Sequence, residues 1–292
     1  MITIFGIDHS PWTQVVMLGC ELHSIPYRLV NYPFSLKAIW RHGLMMPTAR
    51  LPNGEVLVDS LEILYQVENN YSEPGKSYSY GLASKDKKKQ LVQQARFTFL
   101  FYYYVLTRGD KKTFRFFKGW SKSSHVTDNP VQKLASVLFK PFLAQYFYFL
   151  IKLVVTKEKL KRQPLFKVDK FKEALTKWDD KLTDQPFLNG QQPGYADLTL
   201  YAHYQTMHTG LSAEVLPYLE EHPRLVEWSK RMQGLFAKYT HGYSFSNSVK
   251  VKVASKSEQV VYWTLWLLSL PCLPITLCLF GVLYGIRAVH NR

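Results

Sequence analysis

The opening of the chain constrains its fold most, because a short β-rich run, Ile2 to Phe5, leads directly into a helix start. Serine is a favoured N-cap and proline is favoured at the first helical position, so Ser10 and Pro11 predict a helix that begins there. One face of this helix carries the apolar spacing i, i+3, i+4 and i+7, at Val15, Leu18, Gly19 and Leu22.

A helix N-terminus at the end of a strand is an anion site, because free N–H groups and the helix dipole both favour negative charge. A hydroxyl at that point can donate a hydrogen bond to a thiolate and lower the pKa of the thiol. The simpler alternative is that Ser10 only caps the helix.

Strand and helix patterns alternate through the first 75 residues and predict the order βαβ-α-ββα. The Asn53-Gly54 pair between two short runs is typical of a tight hairpin. The predicted elements are Ile2–Phe5, Pro11–Ser24, Tyr27–Asn31, Leu36–His42, Thr48–Leu51, Glu55–Val58 and Ser60–Tyr71.

Three short motifs accompany this order. They are Ser10-Pro11-Trp12 at the first helix, Met46-Pro47-Thr48 before the hairpin, and Val58-Asp59-Ser60-Leu61-Glu62-Ile63-Leu64 after it. Together they resemble the thioredoxin-like N-terminal domain of the glutathione transferase superfamily, in its serine type. The resemblance implies glutathione as co-substrate, with the Ser10 hydroxyl bonded to its sulfur and Trp12 beside it.

The resemblance also implies how the rest of glutathione is held. Met46, before a cis Pro47, would pair its backbone with the cysteinyl part, and Asp59 with Ser60 would hold the γ-glutamyl group. Lys37 is preferred for the glycine carboxylate; Arg41 and His42 are alternatives, and a solvated helix face is an equal explanation for all three.

The cysteine pattern excludes two other chemistries. A redox thioredoxin fold has cysteines where this chain has Ser10 and Thr13, so dithiol exchange at this helix is excluded. The three cysteines form no Cys-x-x-Cys and no metal-ligand pattern, so we expect no metal and a reducing compartment.

The second half of the chain carries two further motifs of the superfamily. Residues 186–198 resemble the segment that starts the core helix of its helical C-terminal domain, with Asp197 in a structural role and Gly194 in place of the usual Ser or Thr cap. Residues 222–232 resemble its final helix. The aromatic residues of 85–106 would line an electrophile pocket or, as we prefer, pack in the core.

The net charge of +15, from 37 Lys+Arg against 22 Asp+Glu, favours an anionic partner. No zinc-ligand spacing or RNP-like signature is present, so we expect no nucleic acid. Basic and aromatic residues mix in 107–130, which suits a membrane interface better than single-stranded nucleic acid.

Residues 260–286 contain no charge, and a helix of that length exceeds a hydrocarbon core of about 30 Å. We expect a single-pass C-terminal anchor in membrane lipid, with the main domains on the cytosolic side because no signal peptide precedes them. Pro271 and Pro274 in the middle of this segment predict either a kinked single span or a hairpin within one leaflet, and we prefer the kinked span.

The predicted fold class is thus a thioredoxin-like α/β domain, an all-α domain and a transmembrane helix. The expected divisions are a glutathione-binding domain at 1–75, a linker at 76–84, a helical domain with a divergent middle at 85–240, a linker at 241–259 and the anchor at 260–286.

Two functions are consistent with this organisation. The favoured one is a membrane-anchored glutathione transferase that conjugates the thiolate to apolar electrophiles. The alternative is a non-catalytic, membrane-bound binding or scaffold protein. The superfamily is commonly dimeric, so the resemblance also allows a homodimer.

Overall fold

The computed structural model describes residues 1–6, 10–31, 47–71, 163–207, 215–236 and 256–272, with 93–95, 98, 99, 101, 152, 155, 156, 159–161, 274, 278 and 281. The strands are β1 (Ile2–Gly6), β2 (Tyr27–Asn31), β3 (Thr48–Arg50) and β4 (Val56–Val58). The helices are α1 (Pro11–Leu22), α2 (Ser60–Tyr71), α3 (Val168–Lys181), α4 (Tyr195–Met207), α5 (Leu216–Glu220), α6 (Pro223–Leu235) and α7 (Lys256–Ser269). Short 3-10 turns occupy Gln163–Phe166 and Leu270–Cys272.

The four strands form one sheet in the order β2-β1-β3-β4. β1 pairs in parallel with β2 and antiparallel with β3, and β3 and β4 form the predicted hairpin. In its turn the Gly54 N–H donates to the Leu51 carbonyl at 3.0 Å, and Gly54 has a φ of +88°. Glycine suits this left-handed conformation. The strand pairing and this turn together confirm the hairpin predicted from Asn53-Gly54.

α1 is buried on two sides, whereas the sequence predicted one apolar face. Met17 and Cys20 pack into a core with the sheet, as does Val16. Val15 and Leu18 pack into a second core, shared with the helical part of the chain. α1 is therefore the element that joins the two cores.

Gly19 marks the closest approach in this region. A Cβ at that position would stand 2.1 Å from Leu64 Cδ2 of α2 and 3.8 Å from Leu198 Cδ1 of α4. The glycine that the sequence places on the apolar face thus lets three helices meet without a side chain between them.

The helical part packs around Trp228, which is fully buried on α6. Trp178 of α3 is also buried and donates its indole N–H to Thr98 Oγ1 at 2.7 Å. Phe99 and Phe101 are buried as well, which confirms the core role predicted for these two aromatic residues.

Several sequence predictions differ from the structure or lie outside it. The first helix ends at Leu22 rather than Ser24, and a 3-10 turn, Gln163–Phe166, precedes α3. The predicted helix at 36–42 and all of 102–151 lie outside the described residues.

The C-terminal anchor predicted at 260–286 is not confirmed. α7 spans Lys256–Ser269 and has 14 residues. Within the described residues, no helix combines the length and apolar character needed to cross a membrane.

Candidate functional site

Three strand ends meet at one edge of the sheet. Phe5 of β1 pairs with Thr48 of β3, and Thr48 in turn pairs with Val58 of β4. Because both pairings are antiparallel, the C-terminal ends of β1 and β4 flank the N-terminal start of β3. Chain segments that leave or enter these ends therefore lie side by side.

Most of the residues predicted to bind glutathione follow or precede those three ends. Ser10 and Trp12 come after β1, Pro47 immediately precedes β3, and Asp59 and Ser60 immediately follow β4. The structure thus brings these predicted positions to one edge of the sheet, although they come from three separate motifs.

Two of the predicted residues are not placed. Lys37 and Met46 lie outside the described residues, as do the alternatives Arg41 and His42. Their assigned roles, and a cis peptide before Pro47, remain predictions.

Ser10 occupies the N-cap position of α1 in an extended conformation, with φ −73° and ψ 121°. Its carbonyl accepts the Gln14 N–H at 2.9 Å, which is the first hydrogen bond of the helix. Its side chain makes no capping hydrogen bond, and the residue is half-buried. The Ser10 hydroxyl therefore does not cap α1. The simpler alternative, in which capping is its only role, does not account for it.

Asp59, rather than Ser60, caps α2. Its Oδ1 accepts the Leu61 N–H at 2.8 Å, and its carbonyl accepts the Ile63 N–H at 3.0 Å. Asp59 has a φ of +82°, a strained value for a residue other than glycine that aspartate tolerates better than most. Such strain concentrates at functional sites. Ser60 is the first helical residue and is buried.

Trp12 contacts a histidine that the sequence did not single out. Its ring meets the His203 ring edge to face, with centroids 5.5 Å apart, and His203 stacks on Phe99 at 4.9 Å. His203 Nδ1 lies 2.8 Å from the Thr199 carbonyl of the preceding helical turn, and as the donor it fixes the ring in α4. This contact ties the start of α1 to the helical part of the chain.

A second contact between the two parts is polar. The Tyr195 hydroxyl at the start of α4 donates to the carboxylate of Glu68 on α2. Both residues are buried. Neither this pair nor His203 carried a local signal in the sequence, because each depends on a partner far away along the chain.

The thiol of Cys20 lies in the sheet core. Burial raises its pKa to about 12, with a smaller contribution from the charge of Glu21. A thiol of that pKa is almost entirely protonated at neutral pH, so Cys20 cannot serve as a nucleophile there.

Asp197 is the polar centre of the helical part, as the sequence predicted. It is fully buried and accepts hydrogen bonds from the Leu188 N–H, the Gly194 N–H and the Trp228 indole N–H, each at 2.8 Å. Burial raises the pKa of Asp197 to about 6, against these donors, which lower it. All of its partners are structural groups, so it joins α4 and α6 and takes no part in the sheet-edge site.

Gly194 begins α4, because its carbonyl accepts the Leu198 N–H at 2.9 Å. A Cβ at Gly194 would lie 2.8 Å from Asn189 Cβ. The close Asn189 side chain therefore explains why glycine stands where a Ser or Thr cap is usual in the superfamily.

Metal chemistry finds no support in the described part of the chain. No group of three or more His, Cys, Asp or Glu side chains there is arranged to hold a metal ion.

A family model described as glutathione S-transferase, C-terminal domain, matches residues 158–231. That segment contains α3, α4, α5 and most of α6. No curated protein sequence matches the chain.

Solved structures of glutathione transferases share the fold. One from Methylobacillus flagellatus KT, with glutathione bound, has 13% identity and a TM-score of 0.52 over 82% of this chain and 98% of its own. Unclassified glutathione S-transferase 2 of Bombyx mori has 14% identity and a TM-score of 0.51 over 87% and 99%. Glutathione transferase F2 of Populus trichocarpa has 12% identity and a TM-score of 0.50 over 83% and 100%.

At these identities the likeness shows the fold, a thioredoxin-like domain followed by a helical domain. Residues 158–231 thus resemble the C-terminal domain of glutathione S-transferases, and the fold as a whole resembles that of solved glutathione transferases.

Proposed function

We propose that the chain binds glutathione at the sheet edge and conjugates its thiolate to apolar electrophiles. The observation that carries this proposal is the meeting of Ser10, Pro47 and Asp59-Ser60 at three adjacent strand ends. The glutathione bound in the structural neighbour from Methylobacillus flagellatus is consistent with it.

The dimensions of the edge suit an extended tripeptide. Adjacent strands lie about 4.8 Å apart, so the ends of β1 and β4 are separated by about 10 Å. From the glutathione sulfur to the α-carbon of its γ-glutamyl residue there are seven bonds, which span about 8–9 Å when extended. A ligand with its sulfur near Ser10 would therefore reach Asp59 and Ser60 with its γ-glutamyl end.

The Ser10 hydroxyl has the chemistry for the thiolate role. It makes no capping bond and stands at the positive end of α1. A hydroxyl donor and a helix N-terminus both favour the ionised form of a sulfur placed there. Proximity to a bound electrophile then supplies the remaining rate enhancement.

The first test is glutathione binding by the full chain, measured by calorimetry in mild detergent. We expect wild-type binding that Ser60→Ala weakens about tenfold, because Ser60 contributes a hydroxyl to the γ-glutamyl end. Ser229→Ala on α6, remote from the edge, is the matched control and should bind as wild type. If the wild-type protein binds no glutathione at several millimolar glutathione, the proposal is refuted.

The second test separates the enzyme from the non-catalytic alternative. Ser10→Ala should reduce the conjugation of apolar electrophiles by about 100-fold or more while leaving glutathione binding largely intact. A wild-type chain that binds glutathione but conjugates none of a broad electrophile panel would favour the binding or scaffold function instead.

We further propose that the C-terminal segment, 260–286, anchors the chain in membrane lipid, with the main domains on the cytosolic side and 241–259 as a linker. Support comes from the uncharged sequence and from exposed apolar side chains on α7: Val260, Leu267 and Leu268 are 64%, 59% and 68% exposed. An exposed apolar face of this kind needs an apolar environment.

Alkaline extraction of membranes tests the anchor. The wild-type chain should stay with the membrane, and Leu267→Lys/Leu268→Lys should move it into the soluble fraction. Val56→Lys, at an exposed apolar residue of the sheet, is the matched control and should not change the distribution. Full release of the wild-type chain would contradict the proposal.

Light scattering of the purified chain tests the homodimer.

A further inference from the structure

The first turn of α1 contains a second hydroxyl, that of Thr13. Thr13 is fully buried, and within the described part of the chain its Oγ1 has no hydrogen-bond partner. Buried side-chain hydroxyls are nearly always paired in folded proteins. This unpaired hydroxyl therefore needs an explanation.

The Thr13 hydroxyl packs against the end of β1. A Cβ built on Gly6, the last residue of β1, would stand 2.4 Å from Thr13 Oγ1. The hydroxyl thus lies against the end of the strand that leads to Ser10. A side chain at position 6 would clash with Thr13, so glycine at this position allows the close packing of the hydroxyl against the strand.

Ser10 and Thr13 have the spacing of a Cys-x-x-Cys pair at a helix N-terminus. Side chains three apart in a helix are neighbours, and two cysteines at this spacing approach closely enough to form a disulfide. Two hydroxyls in the same positions can therefore reach one sulfur atom placed between them.

We propose that the Thr13 hydroxyl is a second hydrogen-bond donor, beside Ser10, to the sulfur of bound glutathione. This inference rests on the proposed function. The glutathione thiol gives its proton to water, and the two hydroxyls and the helix N-terminus hold the resulting thiolate. Thr13 would find in the ligand the acceptor that the described part of the protein does not supply.

The test is a pH titration of bound glutathione, followed by the ultraviolet absorbance of its thiolate, on the full chain. Thr13→Val keeps the shape of the side chain and removes the hydroxyl, so it should raise the apparent pKa of the bound thiol by about one unit. Thr13→Ser should restore the wild-type value. Thr176→Val, which removes a hydroxyl on α3 far from the edge, should leave it unchanged.

The outcomes separate this inference from the proposed function. If the wild type binds glutathione and Thr13→Val titrates at the wild-type pH, the inference is wrong and the proposed function stands. If the wild type binds no glutathione, both fail. If Thr13→Val does not fold, Thr13→Ala carries the same expectation and the same contrary result.

A measurement without ligand adds an independent check. Since the hydroxyl has no partner among the described residues, Thr13→Val should raise the thermal midpoint of the ligand-free chain. Glutathione should then stabilise Thr13→Val less than it stabilises the wild type. A fall in the ligand-free midpoint would show that the hydroxyl is already paired and overturn the inference.

Discussion

The N-termini of α1 and α4 belong to two helices that pack against each other, and they treat their polar groups differently. At α4 the buried carboxylate of Asp197 accepts three N–H groups at 2.8 Å, two of them buried and that of Leu188 part-buried. At α1 the side chain of Ser10 caps nothing, and Thr13 is buried with no partner among the described residues. The first arrangement stabilises the fold, whereas the second fits the donor role that we propose for these two hydroxyls.

The difference follows from what each helix end joins. The start of α4 connects the 187–190 turn and α6 within one core, so every polar group there must be satisfied inside the protein. The start of α1 lies where three strand ends meet, and a ligand or water can satisfy its groups. The comparison makes quantitative predictions for both helix ends.

The largest effect is expected at Asp197. Asp197→Ala should lower the unfolding free energy by about 3–5 kcal/mol, because it removes the acceptor of the buried N–H groups of Gly194 and Trp228 and of the part-buried N–H of Leu188. Urea denaturation of the full chain measures this loss. The exposed Asp180→Ala is the control and should change stability by less than about 0.5 kcal/mol. If both variants lose a similar amount of unfolding free energy, the hydrogen bonds of Asp197 do not stabilise the start of α4 as argued.

The pH dependence of stability sharpens the same point. The pKa of Asp197 is about 6 in the folded protein against 3.8 ordinarily, so the folded state binds the proton more tightly. Its contribution to stability is therefore full below about pH 4 and is lost as the pH rises to about 6, by about 3 kcal/mol. Urea denaturation from pH 4 to 7 should show this loss in the wild type. The non-titrating Asp197→Asn should lack it, and parallel curves for the two would contradict the assignment.

A third prediction concerns the cap of α4. Gly194→Ser introduces the residue that is usual in the superfamily, but its Cβ would lie 2.8 Å from Asn189 Cβ. We expect a loss of about 1–3 kcal/mol from overpacking instead of a gain of a few tenths from better capping. Asn189→Gly removes the obstructing atoms, so in the double variant the serine should become neutral or stabilising. Equal effects of Gly194→Ser with and without Asn189 would show that crowding is not the cause.

Local signals explain why much of the N-terminal fold was predictable. The Asn53-Gly54 turn, the Ser10-Pro11 helix start and the period of 60–71 all act over a few residues, and the structure has elements at these places. The order of these elements then fixes which strand ends meet, so the sheet-edge site follows from topology once the fold is known.

The rest depended on contacts between distant residues. The Trp12 to His203 contact and the Tyr195 to Glu68 hydrogen bond join parts of the chain that share no local pattern. The glycine at 194 was expected to be a tolerated substitution, and only the position of Asn189 gives its reason. Residue type alone also could not decide between the two roles offered for Ser10, because it stands at the N-cap of α1 without a side-chain capping bond, whereas Asp59 does cap α2.

The smallest expected effect on stability is that of Ser10→Ala, and it is the most direct test of the α1 end. The Ser10 side chain makes no capping bond, so its removal should change the unfolding free energy by less than about 0.5 kcal/mol, although loss of a serine cap typically costs about 1 kcal/mol. Asp59→Ala is the comparison variant and should lose at least about 1 kcal/mol, because that carboxylate does cap α2 at 2.8 Å and alanine tolerates the φ of +82° less well than aspartate. If Ser10→Ala is as destabilising as Asp59→Ala, the Ser10 hydroxyl serves the fold. It would then not be available to a ligand as proposed.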